Sequence, residues 1–418
     1  MDKRQYEFLR LGSAEKIFSV VMLLYTTGAI MPFIVGEVDP LSPTQTKPIE
    51  LAVKAILYSV AFCFIAIRWR SVIQSAWNIK WIVALVLIAI ASMAWSQDPS
   101  LTLRASAFLL ATTAFGVYFG TRYTIPQQLR LLAWTCFLVV SLSFFFAIFL
   151  PKYGIDSDVH GAWRGVFVQK NGLARAMVLA VSVFFFVRPK RFHWLRWPGV
   201  AASLALLFLS RSVTGMIVCA GIIATLPLYR LIRSRLTVAI PVVCAGLLLV
   251  GLLLLQDISA AEALQVVGRN PELTGRFDLW NAALLSISKR PWLGYGFSAF
   301  WRGMEGESGS LQLTVGWTIP LVQGHNGFID LTLHLGALGL ATFAVGYLVV
   351  WRRALGFLSR VPGPVPVWLC TYLVFMLLYN LTESSLLTQH SIWWVLYTST
   401  AVSLFPASFR QLCTSPNG

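Results

Sequence analysis

LTGRFDLWNAALLSISKRPWLGYGFSAFW (Leu273–Trp301) and QGHNGFIDLTLHLGALGL (Gln323–Leu340) bracket the one long stretch of this chain that hydrophobicity alone does not explain. The first reads as an amphipathic helix running into a Pro/Gly turn. The second sets His325 and Asn326 at the mouth of a new apolar run. Outward from these two pieces, nearly everything else is apolar run or short basic connector. The surrounding segments therefore read as a scaffold that holds this stretch at a membrane surface.

Composition agrees. Of 418 residues 57% are hydrophobic and 12% charged, with a mean hydropathy of +0.71. Soluble domains carry about 25% charged residues. The class is a polytopic, all-α membrane protein forming one membrane domain over 1–418. A formal charge of +16 would suggest nucleic acid in a soluble chain. Here the basic residues fall between apolar runs, the pattern of topology signals and lipid headgroup contacts, so no nucleic-acid partner is expected. Cys63, Cys136, Cys219, Cys244 and Cys370 lie in apolar runs and Cys413 in the tail, with no CxxC pair. They read as core residues, not as a disulfide or metal framework. The basic N-terminus and the long apolar run after it read as an uncleaved first span.

A span needs roughly twenty mostly apolar residues. The runs at 17–36, 51–67, 79–95, 103–120, 129–150, 172–188, 197–210, 212–229, 236–257, 327–351, 365–380 and 389–408 suggest twelve. With the N-terminus in the cytoplasm, the inner segments hold Lys3, Arg4, Arg10, Lys16, Arg68, Arg70, Lys80, Arg122, Arg130, Arg188, Lys190, Arg191 and Arg196. Arg230, Arg233, Arg235, Arg352, Arg353, Arg360 and Arg410 continue the series, against only Asp2, Glu7 and Glu15. That bias puts both termini in the cytoplasm and the two longest loops, 151–171 and 256–326, outside. Loops of this size are functional or disordered. The second carries Phe277, Trp280, Leu284, Leu285 and Ile287 at helical spacing, so an ordered helix against the membrane surface is expected there.

The outer face collects cations without acids close in sequence. Arg211, between Ser210 and Ser212, either snorkels to lipid phosphate or clamps a substrate phosphate in the bidentate manner of arginine. Arg276 opens the amphipathic helix, where its charge and the terminal amides can face one anion; Asp278 is the alternative partner. His325 lies among Gly324, Asn326 and Gly327, glycines that leave room for a substrate. Its ordinary pKa of about 6.5 suits a general base, although a structural interfacial histidine is the plainer reading. Asp330 and His334 share one helix face, as a functional pair or a packing contact. Glu383, in NLTESSLL, is an outer carboxylate to which the sequence gives no role. Trp163, Trp292, Trp301 and Trp317 either stack on sugars or anchor the interface. No metal-ligand spacing, P-loop or G-x-S-x-G elbow occurs, so neither a metal nor a cofactor is expected.

TGRFDLW, KRPWLGYGFSAFW and HNGFIDLTLHLGALGL, with GVFVQKNGLA, SRSVTG and NLTESSLL, resemble the O-antigen ligase and polymerase superfamily of bacterial polysaccharide assembly. The similarity runs over about 160–405 and is nearest to exopolysaccharide polymerases of the ExoQ type. It implies a metal-independent, inverting glycosyltransferase of the bacterial inner membrane. The donor would be an oligosaccharide on undecaprenyl pyrophosphate at the periplasmic leaflet, the acceptor a growing polysaccharide, and a chain-length regulator a candidate partner. By motif, the pyrophosphate-binding arginines correspond to Arg276 and Arg211, with Lys170 and Arg164 as further cations. The histidine that activates the acceptor corresponds to His325, with Asn326, Asp330, Trp280 and Glu383 in support. The alternatives are a ligase that transfers glycan to lipid A-core or protein, and a lipid-linked oligosaccharide flippase. A flippase needs charge lining a path across the membrane, whereas the within-span charges here are few (Lys54, Arg175, Asp330).

Overall fold

The computed structural model describes residues 3–29, 48–156, 161–188, 196–234, 276–316 and 321–405. They are helical throughout, and the only extended pairing among them is an isolated bridge between Ile155 and Trp163. Helices α1 (Lys3–Thr26) and α2 (Pro48–Ile67) lead into α3 (Trp69–Asn78) and α4 (Lys80–Ala91). Next come α5 (Pro99–Arg122), α6 (Ile125–Phe149), α7 (Lys170–Phe186), α8 (Arg196–Leu209) and α9 (Val213–Ser234). The long loop supplies α10 (Arg276–Lys289) and α11 (Gly306–Val315). The chain then forms α12 (Gly327–Arg360), α13 (Pro364–Tyr379) and α14 (Ile392–Ser403). Starts follow local chemistry. Asp98 caps α5 by accepting from the Leu101 amide at 2.9 Å, with Pro99 in the first helical position where its missing N–H costs nothing.

Among the described residues four helices, α2, α5, α6 and α12, are long and apolar enough to cross a membrane, and the pair α3–α4, bent by 95°, makes a fifth if the two form one span. The chain is thus a multi-pass membrane protein. The expected twelve spans divide differently. The 68–78 connector is itself the helix α3, and the 389–408 run forms only a twelve-residue helix. The 236–257 run lies outside the described residues. Where the expected spans are short, protein replaces lipid: every residue of α14 is buried. Its neighbour α5 approaches closely through Gly116 and Gly120. A Cβ at Gly116 would stand 2.8 Å from Thr398 Cβ, and one at Gly120 3.0 Å from Ser399 Cα. Small residues four apart let backbones meet in this way where no hydrophobic drive pulls helices together.

Charges sort to the two ends of the bundle. At one end the fully buried Glu15 takes Arg68 Nε at 3.2 Å and Arg122 Nε at 2.5 Å. Arg122 closes α5 while Arg104 lies near its start. Twenty-four residues at 1.5 Å each put about 36 Å between the helix ends. The opposite end carries the long loop. There Leu279, Trp280, Ala283, Tyr295, Phe300 and Leu333 form a small core separate from the main one. Leu284 and Leu285, expected with Trp280 on one apolar face, are instead exposed. The buried face is 279, 280, 283 and 286, because α10 packs on α11 and α12.

The loop also invades α12. At Gly336 (φ 63°, ψ −164°) the helix breaks, and its ladder is completed by PWLGYG. Leu333 and His334 carbonyls accept from Tyr295 and Gly296 amides at 2.8 and 3.0 Å, while Ala337 and Leu338 amides donate to Pro291 and Trp292 carbonyls at 2.8 and 3.2 Å. Non-helical backbone survives at membrane depth when protein satisfies it in this way. A Cβ on Gly336 would lie 2.3 Å from the Trp292 backbone. We expect Gly336→Ala to lower thermal stability by about 3 kcal/mol or more, from the positive φ and the clash. Gly356→Ala, in open space on the same helix, should change it by less than about 1 kcal/mol; intrinsic fluorescence melts of both variants check the contrast.

Candidate active site

Three consecutive carbonyls after α13 dock the site together. Asn380 O accepts from the Gly327 amide at 2.9 Å, Leu381 O from Asn326 Nδ2 at 3.2 Å, and Thr382 O from Arg276 Nη1 at 2.8 Å. This row brings the HNG turn, the start of α10 and NLTESSLL to one place. The next residue is Glu383, 8% exposed. Its Oε2 lies 3.8 Å from His325 Nδ1 and its Oε1 3.8 Å from Arg276 Nη2.

Burial alone would push the Glu383 carboxyl up. The contact and charge of His325, then the charges of Arg276 and Arg175, outweigh it and hold the group down at about 2. Glu383 is therefore an anion at any working pH. Arg175, on the second turn of α7, also stands over the Trp393 ring at 5.0 Å. Its part in the site was invisible in the sequence, where it reads as a stray within-span charge.

His325 is held at φ +49°, a region that non-glycine residues enter at a cost. The restraint comes from Gly324. Its amide donates to Asp330 Oδ1 and Oδ2 at 3.0 and 3.1 Å, and its carbonyl accepts Trp280 Nε1 at 2.9 Å. Trp301 Nε1 in turn donates to Asp330 Oδ1 at 2.9 Å. Asn326 caps α12, its Oδ1 accepting from Phe328 and Ile329 amides at 3.0 and 3.2 Å. So Asp330, Trp280 and Asn326 position the imidazole without touching it. The flanking glycines, expected to leave room for a substrate, serve packing instead. A Cβ at Gly324 would meet Asp330 Oδ1 at 2.6 Å, and one at Gly327 would meet Asn380 Oδ1 at 2.2 Å. Asp330 gives its carboxylate to Gly324 and Trp301, while His334 packs edge-on against Phe297 at 5.9 Å.

The cations separate into two groups. Arg276 is 3% exposed and turns inward to Glu383 rather than to the exposed Asp278. Its Nε has no hydrogen-bond partner among the described residues, a cost of about 1–3 kcal/mol that an anionic ligand oxygen would offset. Arg211 (φ +52°) lies at the α8–α9 junction, its Nη2 3.6 Å from where a Gly161 Cβ would sit. Next to it, Ser212 Oγ donates to Asn171 Oδ1 at 3.0 Å, beside Lys170 at the start of α7. Arg164 donates to the carbonyls of Tyr153, Lys152 and Val168 at 3.0, 3.2 and 3.4 Å, knitting the 151–171 loop. Arg175 stands one turn along α7 from Asn171 and links the two groups through its field on Glu383. Among the described residues no three His, Cys, Asp or Glu side chains converge as metal ligands. Trp317, His160 and His193 lie outside them.

A carboxyl held below its ordinary 4.5 stabilises the fold above that pH and loses this contribution as pH falls through about 2. Glu383→Gln leaves Arg276 buried without its counter-charge, so at pH 7 it should be less stable than wild type by about 3–5 kcal/mol. The difference should close as pH falls from 4.5 towards 2; paired melts across that range, with a gap that stays constant, would refute the assignment.

Residues 198–344 match the family model described as O-Antigen ligase. The match spans Arg211, Arg276, His325 and Asp330 and stops short of Glu383. Over 300 residues the chain is 26% identical to the exopolysaccharide production protein ExoQ of Rhizobium meliloti (strain 1021), an alignment covering 68% of this chain and 67% of that protein. With the helices described above, these matches carry the resemblance first read in the motifs: the chain is a multi-pass, O-antigen ligase-like membrane protein, similar to a protein of exopolysaccharide production.

Proposed function

We propose that the protein is a membrane glycosyltransferase that polymerises oligosaccharide units, taken from undecaprenyl pyrophosphate at the periplasmic face, into exopolysaccharide. The observation that carries this reading is the His325–Glu383–Arg276 cluster, where a base and a buried guanidinium share one carboxylate. Ionised Glu383 favours the imidazole proton on Nδ1 and leaves Nε2 as the acceptor. The acceptor hydroxyl gives its proton to Nε2 while its oxygen attacks the anomeric carbon, and the bond to the pyrophosphate oxygen breaks. The configuration at that carbon inverts, and the lipid pyrophosphate leaves with the bonding electrons. Glu383 stabilises the imidazolium so formed, as the carboxylate of a Ser-His-Asp triad does. The 3.8 Å contact is longer than a hydrogen bond and of the kind that tightens when substrate binds.

Charge grows on the pyrophosphate as the bond breaks, and cations preorganised towards it lower the barrier most. Arg276 and Arg211, with Lys170, Arg164 and Arg175, supply them from one end of the bundle. No nucleotide is needed, because the sugar–pyrophosphate bond is already activated. The placement argues against a flippase. Lys54, Arg175 and Asp330 all sit within the first two turns of α2, α7 and α12, on the side of His325, rather than along a path between the faces.

His325→Ala should lower transfer by roughly 10² to 10⁴, and Arg276→Ala by a factor matching on the order of 3 kcal/mol. The assay is purified protein in proteoliposomes with a defined pyrophosphoryl-lipid oligosaccharide. Wild-type turnover in the histidine variant would sink the base assignment. Given donor alone, a polymerase yields a ladder of products, whereas a ligase yields none until its acceptor is added. EDTA should leave the rate unchanged; loss restored by magnesium would count against a metal-free displacement.

A further inference from the structure

A polar cavity of about 220 Å³ opens at the same end of the bundle, and none of its lining residues belongs to the His325–Glu383–Arg276 cluster. Lys54, Arg104, Ser298, Trp301, Gln389 and His390 supply its polar and aromatic lining. The wall between it and His325 is thin. Trp301 lines the cavity while its indole N–H holds Asp330, the residue that grips Gly324. Val322, also in the lining, is two residues from Gly324.

The lining carries two cations and no acid. Lys54 pairs with Glu50 one turn earlier, and its Nζ stands 5.5 Å from the Phe108 ring centre. Arg104 is exposed and makes no ion pair or hydrogen bond with the described residues. The walls are rigid. His390 takes φ +58°, its amide donates to Thr112 Oγ1 at 3.1 Å, and its Nδ1 meets Tyr58 OH at 2.8 Å. Its ring packs 4.6 Å from that of Phe108. Ser298 is also held at φ +60°. Non-glycine residues fixed in this region cost on the order of 1–3 kcal/mol each and gather at ligand sites.

The volume is small beside the about 300–1,000 Å³ of sites that enclose a drug-sized ligand, so the cavity holds one part of a longer molecule. Flat aromatic walls suit the C–H face of a pyranose, amide and hydroxyl groups suit its hydroxyls, and an unpaired guanidinium suits a carboxylate. We propose that this cavity binds an acidic sugar residue of the acceptor glycan, with Arg104 on its carboxylate, and so presents the chain end to His325 across the Trp301 wall. The role as acceptor subsite rests on the transfer reaction proposed above; the binding of an acidic saccharide does not.

Binding is therefore measured directly, without turnover. Full-length protein in nanodiscs of neutral lipid is titrated with a glucuronic-acid-bearing oligosaccharide and with its carboxyl-reduced form. Wild type should bind the acidic form at least tenfold more tightly than the reduced one, and Arg104→Gln should abolish that preference while folding normally. Gln389→Ala should weaken both forms alike. Equal binding of the two forms by wild type, or a preference that survives in Arg104→Gln, overturns the proposal. If replacing the neutral lipid with phosphatidylglycerol suppresses acidic-sugar binding, the cavity is a lipid-headgroup site and the proposal fails. A preference seen in a protein that never turns over donor keeps the saccharide site and rejects the transfer reaction instead.

Discussion

One nearly buried carboxylate, shared between a histidine and an arginine, is the constraint on which the site depends. At about 4 Å and an effective dielectric of 20, its ion pair with Arg276 is worth about 4 kcal/mol before desolvation. Desolvation takes back much of that gain. The arrangement is therefore weak as a means of holding the fold together. Its value lies in geometry: Glu383 stands 3.8 Å from both the His325 imidazole and the Arg276 guanidinium and so holds the two groups on one carboxylate. Either group alone at this depth would be an uncompensated charge.

What the sequence made legible, and what it hid, divides along sequence separation. Arg276, His325, Asp330 and Trp280 could be named because each sits in a motif with a local reason to stand out: a helix start, a glycine-flanked turn, a charge in an apolar run. Glu383 could be named but not explained, since its partners arrive from α10 and from the turn before α12, and no local pattern announces them. Arg175 stands out in the sequence only as a within-span charge, with no place in the site. A cation inside an apolar helix shows its purpose only when the helix ends are placed, and α7 puts it beside Glu383. The helical class was legible from hydropathy. The span count was not, because hydropathy cannot tell a segment coated by lipid from one enclosed by its neighbours. The wholly buried α14 is the plainest instance.

The broken helix α12 connects the loop to the bundle. A continuous α-helix would satisfy Leu333 and His334 internally and give the loop no purchase. By opening the ladder at Gly336, α12 trades its own hydrogen bonds for equal ones with Pro291, Trp292, Tyr295 and Gly296. Each of the four α12 groups keeps a partner, so the break costs little beyond the conformation that only glycine enters easily. In return the loop is fastened to a membrane-crossing helix about two turns from Asp330. The small core of Tyr295, Phe300 and Leu333 is built on that fastening. The Trp280 and Trp301 contacts to the His325 turn follow from it.

Backbone strain follows the same division of the molecule. Among the described residues, the non-glycine positions with positive φ are Arg211, Ser298, His325, Leu387 and His390. All five lie in loops at the end that carries the cluster and the polar cavity; none lies at the end where Glu15 meets Arg68 and Arg122. A buried ion pair can be built on ordinary helical backbone, as that opposite end shows. Strained turns are not a requirement of charge burial, nor of loops in general. They accumulate where side chains must face a shared space rather than pack against the nearest neighbour. The Asp330 and Trp280 bonds that hold Gly324 are the restraint such a conformation needs. An imidazole fixed in this way, with the Arg276 and Arg211 guanidiniums at the same end of the bundle, is the arrangement that the transfer reaction proposed above requires.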